Sequence, residues 1–493
     1  MSASFASSDS NQSPLKLPTK PFDHSFIHDS LSDLSNNTLA RLVEWAKLLP
    51  KSEWPPLMYS AKILHLNFLE ELLSSSGVVF RKAINGNGKE DGDLKGCELE
   101  ISSPEAFVAL RHWRRSAIFQ PIHSILFIVS GRQTEWPVQM GAILDFLHSL
   151  PTDSDDVYFS ELDVYMDGTA DGSVLDGSLI VNLAQAAFRS RCASFTLHTS
   201  DNNFALLPVA ENSSVGTPHL ESRLRTLRFN TSLLSNPHFL RFLRTWSSSW
   251  NNLAGLHLCF TCPASPNWPS FISLLRLPNL LHALLSAPDP ESLFNFFGAH
   301  HKVITFELSN TGLLGFWPCP SAPLLQLKSL KLLTGPAQDV DRFLQLFLVP
   351  SALHIDLELD TEDPNDTRRA IFDTPAHLKF FRALAGRDLS RGALHIKFPD
   401  VDCFTEPFFE LSEDIVIRPE RAIRVVGVHV TLHCFDSVSV SMLLPIVSRW
   451  VLLFPCLEYM TLLSTCFEIS DLEIRDFLSS ITMVKPELSI CFC

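Results

Sequence analysis

The sequence predicts an α/β fold in which one short unit repeats along the chain, and three observations support this prediction. An apolar phrase of the form L-x-x-L-x-L recurs, with starts at Leu224, Leu253, Leu280, Val303, Leu327 and, with Ala in first place, Ala352. These starts lie 29, 27, 23, 24 and 25 residues apart, a period typical of leucine-rich repeats. The segments that connect these phrases are apolar and contain several Pro residues, as irregular returns between strands do. Together these features predict a leucine-rich-repeat solenoid with a curved, mostly parallel sheet, convex helices and irregular returns.

Length and composition limit the function. The 493 residues are 46% hydrophobic and 19% charged, which is enough apolar content to bury a core. A net charge of -15 argues against a nucleic-acid partner, because phosphate groups would be repelled. The N-terminus has no apolar signal segment, and the longest apolar runs are too short to span a membrane. With 11 scattered cysteines, we expect a reduced chain in the cytoplasm or nucleus with no membrane partner.

The N-terminal part predicts a tail followed by helices. Residues 1–30 are rich in Ser, Pro, Asp and Asn, so we expect them to be disordered. The stretch NNTLARLVEWAKLLP predicts an amphipathic helix that Asn37 caps and Pro50 ends. A second helix is predicted over LHLNFLEELLSSSG, with Gly77 at its end. We therefore expect a small helical segment over 31–77 and the repeat solenoid over 78–493.

The solenoid part alternates strand and helix phrases. The polar stretch NGNGKEDGDLKG lies between the apolar runs VVFRKAI and CELEI and lacks the glycine spacing of a phosphate loop, so it predicts a surface hairpin. Strand phrases then begin near residues 122, 159, 192 and 224, with helical phrases between them. LHIDLELD and LHIKFPD are near-copies 41 residues apart, and further strand phrases follow at Val425, Leu457 and Glu487.

Three features have the residue types of a metal or catalytic site, and each has a plainer interpretation. Cys259 and Cys262 form a Cys-x-x-Cys pair, but structural zinc needs a second pair, so we interpret them as structural thiols. The adjacent His300 and His301 point in different directions and are interpreted as turn residues. The acidic loop over 360–366 lacks the spacing of a calcium loop and is interpreted as solvated. No hydrolase, metalloprotease or kinase motif occurs, so no catalytic residue, cofactor or metal is predicted.

The outward residues of the strand phrases form the predicted partner-binding surface. Alternate side chains of a strand face opposite ways, so the residue between the last two apolar positions points away from the core. Neighbouring strands lie about 4.8 Å apart, so these residues would form a continuous column on the concave face. The predicted binding residues are Asp163, Arg228, His257, Glu307, Lys331, Asp356, Lys397 and His429, with Thr196 and Thr461 in the same column.

Several segments resemble the fungal F-box/leucine-rich-repeat proteins. SEWPPLMYSAKILHLNFLEELLSSSGVVFRKAI, followed by CELEI, resembles the segment after the F-box in that group, and LLRLPNLLHALL and SLFNFFGAHHKVITFELSN resemble its repeats. The resemblance implies a substrate receptor of an SCF-type ubiquitin ligase, which would bind a Skp1-type adaptor through residues 31–77. Two departures are visible. The Leu-Pro opening of an F-box is not visible, and Ser232, Thr261, Thr311, Gly335 and Thr465 replace the usual Asn or Cys.

Three functions therefore remain open from the sequence. The first is protein recognition within a ubiquitin ligase, and the second is a repeat scaffold with no ubiquitin role. The third is an enzyme whose site is assembled from distant residues. Co-purification with the adaptor would separate the first two, and a deep pocket lined by converging titratable groups would favour the third.

Overall fold

The fold is given by a computed structural model of the chain. The residues that it describes are 36–50, 53–54, 74–75, 77–82, 97–103, 106, 122–132, 134–149, 159–169, 175–190, 192–199, 206–207, 223–259, 266–286, 289–309, 325–358, 360–361, 370–371, 374–384, 387–398, 423–432, 451, 453–464 and 471–492. The predicted tail, most of the second predicted helix, the glycine-rich stretch and most of the acidic loop lie outside these residues. The chain divides into two compact units, one of Met1–Ser76 with Val108–Phe119 and one of Gly77–Phe107 with Gln120–Cys493.

The smaller unit contains helix α1 (Asn36–Lys47), which lies within the stretch that predicts an amphipathic helix. The helix already includes Asn36, so the prediction that Asn37 caps it is wrong. Ala46 is buried on one side of α1, whereas Trp45 is 77% and Leu48 is 82% exposed. Trp54 is buried after the helix, and its indole N–H donates to the carbonyl oxygen of Leu49 at 3.1 Å. The helix therefore buries one side and leaves large apolar side chains on another side in solvent.

The larger unit is built on one sheet of fifteen strands, whose order in space follows their order in the chain. The strands are β1 (Val78–Lys82), β2 (Cys97–Ile101), β3 (Ile122–Arg132), β4 (Phe159–Thr169), β5 (Ser194–Thr199), β6 (Thr226–Asn230), β7 (Gly255–Cys259), β8 (His282–Ser286), β9 (Thr305–Ser309), β10 (Leu332–Pro336), β11 (His354–Glu358), β12 (Asp388–Phe398), β13 (Arg424–Leu432), β14 (Tyr459–Ser464) and β15 (Ser489–Phe492). Strands β1 and β2 pair antiparallel, as a hairpin requires, and every later pair is parallel. The unit is an α/β fold with a large, mostly parallel sheet.

Helices occupy most of the connections between these strands. They are α2 (Trp136–Ser149), α3 (Gly177–Arg189), α4 (Pro237–Ser247), α5 (Trp268–Leu274), α6 (Pro290–Ala299), α7 (Ala337–Leu346), α8 (Thr374–Leu384) and α9 (Asp471–Val484). Local sequence sets their starts, since α4 and α6 each begin with Pro behind a capping residue. The side chain of Asn236 accepts from the first backbone N–H groups of α4, and that of Asp289 does the same for α6.

Three further pairs of two-residue strands lie beside the main sheet. Leu175–Asp176 pairs in parallel with Leu206–Leu207, and Leu325–Gln326 pairs in parallel with Phe347–Leu348. Asp360–Thr361 pairs antiparallel with residues 370–371 at the base of the acidic loop. These pairs tie the returns together without joining the main sheet.

The core lies between one face of the main sheet and the helices. In β6, TLRFN, the alternate residues Leu227 and Phe229 are buried, as the strand period demands. The ring of Phe229 meets Phe239 of α4 with ring centroids 5.5 Å apart, and Phe306 of β9 meets Phe343 of α7 at the same separation. The opposite face of the sheet, which we call the outer face, therefore carries the other alternate side chains of each strand.

Hydroxyl groups take part in the turn after β6, where the sequence lacks the usual Asn. The hydroxyl of Thr199 donates to Thr231 Oγ1 at 3.1 Å, and Thr231 Oγ1 accepts from the backbone N–H of Leu233 at 3.2 Å. The backbone N–H of Thr231 donates to the carbonyl oxygen of Cys259 in the next strand. Two threonines thus link neighbouring turns.

Candidate functional site

One side chain from each of twelve successive strands shares a single register position on the outer face. We call this set the central row. From β4 to β15 it consists of Asp163, Thr196, Arg228, His257, Leu284, Glu307, Thr334, Asp356, His395, His429, Thr461 and Cys491. Parallel strands lie about 4.8 Å apart, so the row is a closely spaced line of side chains that crosses the strands. Most of these side chains are polar.

The central row contains most, but not all, of the residues that the sequence predicts for the binding face. Those in the row are Asp163, Thr196, Arg228, His257, Glu307, Asp356, His429 and Thr461. Lys331 and Lys397 are not in it. The strand phrases gave no reason to include Thr334, His395 or Cys491. Leu284 has the outward position in LLHALL but was not among the predicted binding residues.

Lys331 precedes β10, and Thr334 takes the row position beside Glu307. Phe306 lies opposite Leu333 in the sheet. The apolar phrase of β10 therefore begins at Leu330, three residues after the start at Leu327 that the sequence predicts. The phrase then ends on Gly335, where a Cβ would lie 2.9 Å from the carbonyl oxygen of Leu308. Because β9 lies so close, only glycine fits at the third apolar position of this phrase. The phrase therefore lacks its last leucine and is not recognised from the sequence.

Lys397 lies two residues beyond the row in β12, because Asp356 faces His395 and Lys397 faces Thr431. A two-residue displacement leaves a side chain on the same face of a sheet. Lys397 is therefore on the outer face as predicted, but in the neighbouring row.

Five side chains of β11, β12 and β13 form a connected group that we call the Asp356 cluster. His395 Nδ1 lies 3.1 Å and Lys397 Nζ lies 3.4 Å from Asp356 Oδ1. Lys397 also pairs with Glu358, and His395 Nε2 lies 2.8 Å from Thr431 Oγ1. Because Nδ1 faces a carboxylate, a neutral His395 holds its proton there and accepts the Thr431 hydroxyl proton at Nε2. The cluster fixes the orientation of side chains from three strands.

Competing effects act on the pKa of Asp356. Burial raises it, but the hydrogen bond from His395 and the positive charge of Lys397 outweigh burial, so the pKa lies below its ordinary value of 3.8. A carboxyl whose pKa falls on folding stabilises the fold above the unfolded-state pKa, and this contribution is lost as the pH falls through the folded-state pKa. Asp356 is therefore ionised and paired at neutral pH.

Glu307 has the opposite electrostatic balance. Burial raises the pKa of its carboxyl above 4.5, and the negative charges of Glu358 and Asp356 raise it further, against the opposing charge of Lys397. Within the part of the chain that the structure describes, no Lys or Arg forms an ion pair with Glu307. This half-buried carboxylate therefore faces outward beside two other acids without a cation of its own.

A cationic section of the row lies three strands away from Glu307. Arg228 is exposed, and no carboxylate among the described residues pairs with it. Burial lowers the pKa of the neighbouring His257 to about 4, and the positive charges of Arg228 and His282 lower it further. His257 is therefore neutral at pH 7, and Arg228 carries the positive charge of this section.

The order Thr431, His395 and Asp356 resembles a catalytic relay, because the imidazole can accept the hydroxyl proton while the nearby carboxylate stabilises its charge. A reaction also needs a cavity that holds substrate beside the nucleophile. Two grooves within the described part of the chain, of about 370 Å³ and 340 Å³, are lined by other residues.

The other candidate residues have structural surroundings. Burial raises the pKa of the Cys192 thiol to about 12, so it stays protonated, while Cys259 lies at the end of β7. Cys262 lies outside the described residues. His300 is buried at the end of α6, where Nδ1 donates to the Phe296 carbonyl oxygen and Nε2 accepts from the Leu277 N–H. Burial lowers its pKa to about 4, which suits this neutral bridging role.

The described residues contain no group of three or more His, Cys, Asp or Glu side chains placed to hold a metal ion. They also contain no helix that combines the length and the apolar character needed to cross a membrane.

Two comparisons with known proteins gave no match. No protein-family model matches the sequence, and no curated protein matches it. The function is therefore inferred from the geometry of the outer face and of α1.

Proposed function

We propose that residues 78–493 form a leucine-rich-repeat solenoid whose outer face recognises a protein target. The observation that supports this most is the central row, in which twelve successive strands each place one side chain at the same register. Repeat proteins use such extended sheet faces as contact surfaces, because each repeat adds one position to the same line. The helices pack on the other face through the aromatic core.

The electrostatic state of Glu307 also supports recognition. A half-buried carboxylate beside two other acids destabilises the isolated fold, and such residues are retained where function needs them. A basic side chain of a target placed against Glu307 would supply the missing cation. Arg228 is exposed and lies about 14 Å from Glu307, across three strand spacings of about 4.8 Å. It would pair with an acidic side chain of the same target.

Reversing both charges tests this function. The Arg228→Glu, Glu307→Arg double variant is expected to lose a target protein that the wild-type chain captures from a lysate. The matched control is Arg475→Glu, Asp476→Arg, which exchanges the same charges at exposed positions of α9. Capture is measured by quantitative mass spectrometry. A target retained equally by both double variants would contradict recognition through the central row.

The substitution Glu307→Gln is expected to stabilise the fold at pH 7 while it weakens target binding. Because the pKa of Glu307 is raised in the folded state, the stability of the wild type falls as the pH rises from about 4.5 through that folded-state pKa. The Gln variant has no carboxylate to ionise at this position and does not lose this stability. The gain in melting temperature should therefore vanish below about pH 4. Glu161→Gln, at an exposed position on the same face, should change neither quantity. Destabilisation of Glu307→Gln at pH 7 would contradict this account of Glu307.

A second function is favoured by α1, for which we propose adaptor binding as part of a ubiquitin ligase. Leu42 and Trp45 on this helix, and Leu48 and Leu49 directly after it, are all more than a third exposed, with Trp45 at 77%. Exposed aromatic and aliphatic side chains of this kind are the usual anchors of protein interfaces. The role would make the chain an SCF-type substrate receptor, with α1 on the adaptor and the central row on the target.

Trp45→Ala is expected to weaken binding to a purified Skp1-type adaptor by about tenfold or more, because buried tryptophans dominate interface energies. The unfolding temperature should not change, since the side chain is exposed in the free protein. Isothermal titration calorimetry measures the affinity, with Glu44→Ala on the same helix as the control. A wild-type chain that does not bind the adaptor would remove the ligase role and leave a repeat scaffold with no ubiquitin function.

A further inference from the structure

The middle of the chain is cationic although the whole chain is strongly acidic. Between Glu221 and Asp289 the sequence contains six Arg and no Asp, Glu or Lys, whereas the chain as a whole has a net charge of -15. This segment forms β6, β7 and β8 with helices α4 and α5. A long stretch free of acids produces a local positive potential, which favours contact with anionic groups.

A groove lies between α4 and α5, on the helical layer and away from the outer face. Its volume is about 370 Å³, and Arg241, Arg244 and His238 of α4 line one side. Positions three residues apart lie next to each other along a helix surface, so these three side chains form one basic ridge. No Asp or Glu is among the described residues that line the groove.

The other surfaces of the groove are apolar. Leu240 and Phe271 form its buried floor, and Leu274 of α5 is 43% exposed at its rim. Both arginines are exposed, and no described carboxylate pairs with either of them. The groove thus combines an apolar slot with two arginines that have no acidic partner within the described chain.

We propose that this groove binds an acidic peptide segment of a partner protein. An apolar side chain of the segment would enter the slot between α4 and α5, and flanking carboxylates would pair with Arg241 and Arg244. The guanidinium group suits this role because it binds a carboxylate through two parallel hydrogen bonds. A single-stranded nucleic acid fits the site less well, since it needs exposed aromatic rings for base stacking, and Phe271 is only 4% exposed.

The test uses the full chain and fluorescent peptides of defined chemistry. The probe is a peptide of glutamates around a central leucine–phenylalanine pair. The comparison probes are the same peptide with lysine for glutamate, an all-glutamate peptide of equal length and a short single-stranded DNA. Fluorescence anisotropy measures each affinity at low and high salt. We expect the first probe to bind best and to bind more weakly at high salt.

Charge reversal at the ridge identifies the site. Arg241→Glu and Arg244→Glu should each weaken binding of the first probe by about tenfold or more, the effect of losing a charge-assisted pair. Arg475→Glu, an exposed arginine of α9, should leave the affinity unchanged. Circular dichroism should show the wild-type fold in all three variants, because each side chain is exposed. The Arg228→Glu, Glu307→Arg variant should also bind normally, which separates this site from the central row.

Each of the following results would overturn the proposal. They are absence of binding by the first probe, equal affinity of the wild type and both ridge variants, equal binding of the lysine peptide, and tighter binding of the DNA. The last of these would reassign the cationic segment to nucleic acid. Equal affinity for the all-glutamate peptide would remove the apolar slot from the site and would likewise contradict the proposal.

Discussion

Replacing Phe343 with alanine is expected to lower the free energy of unfolding by about 3–5 kcal/mol. Phe343 of α7 is fully buried. Its ring centroid lies 5.6 Å from that of Phe297, 5.5 Å from Phe306 and 4.6 Å from Phe347. These rings come from two helices, a strand and the segment after α7, so one truncation opens a cavity between neighbouring strand–helix units. The units that pack against this cavity lose contacts as well.

Urea unfolding followed by circular dichroism measures this loss. Phe343→Leu keeps most of the apolar volume and should lose clearly less stability than the alanine variant. Val138→Ala, at a position 70% exposed on α2, should change the free energy of unfolding by less than about 0.5 kcal/mol. A loss below about 1 kcal/mol for Phe343→Ala would show that the aromatic layer is not the core.

Gly392→Ala is expected to destabilise the chain by about 1–3 kcal/mol or more, although it adds only one methyl group. A Cβ at position 392 would clash with the backbone carbonyl oxygen of Leu353. The neighbouring Arg391 N–H donates to the Ser351 carbonyl oxygen at 3.0 Å, so the two backbones are held close at this point. A backbone atom cannot turn aside as a side chain can, so β12 itself must shift.

That shift should reach the candidate site. Gly392 lies at the register irregularity between Leu389 and Ala393, just before His395 and Lys397 reach Asp356. Unfolding experiments should show the loss of stability, and target capture should fall with it. Gly141→Ala is the matched control, because a Cβ there meets no atom within 4 Å and alanine favours a helix. Equal stability of the two alanine variants would contradict the close packing of β11 and β12.

The sequence predicts the direction of side chains more reliably than their register. Alternation within LRTLRF and VITFEL assigns Arg228 and Glu307 to the outer face, and the structure agrees. Alternation has a period of two, so it cannot distinguish His395 from Lys397, which lie on the same face. The near-copies LHIDLELD and LHIKFPD favoured Lys397, but the register of β11 and β12 puts His395 opposite Asp356.

Other features were hidden for different reasons. At β10 the leucines fit two overlapping phrases, and only the close approach of Leu308 to Gly335 selects the later one. The Asp356 cluster joins residues as far apart as Asp356 and Thr431, so no local pattern reveals it. The acid-free segment between Glu221 and Asp289 was readable from the sequence, but total net charge concealed it. Charge counted along successive repeats would have found it.

The most direct test of the central claim is disulfide formation between paired cysteines in adjacent strands. The register puts the Cα atoms of Asp356 and His395 about 4.8 Å apart, within disulfide range, and those of Asp356 and Lys397 about 8 Å apart, beyond it. After mild oxidation and mass spectrometry, Asp356→Cys with His395→Cys should therefore cross-link, whereas Asp356→Cys with Lys397→Cys should not. Preferential linkage of the second pair, or linkage of neither, would contradict the parallel register on which the central row depends.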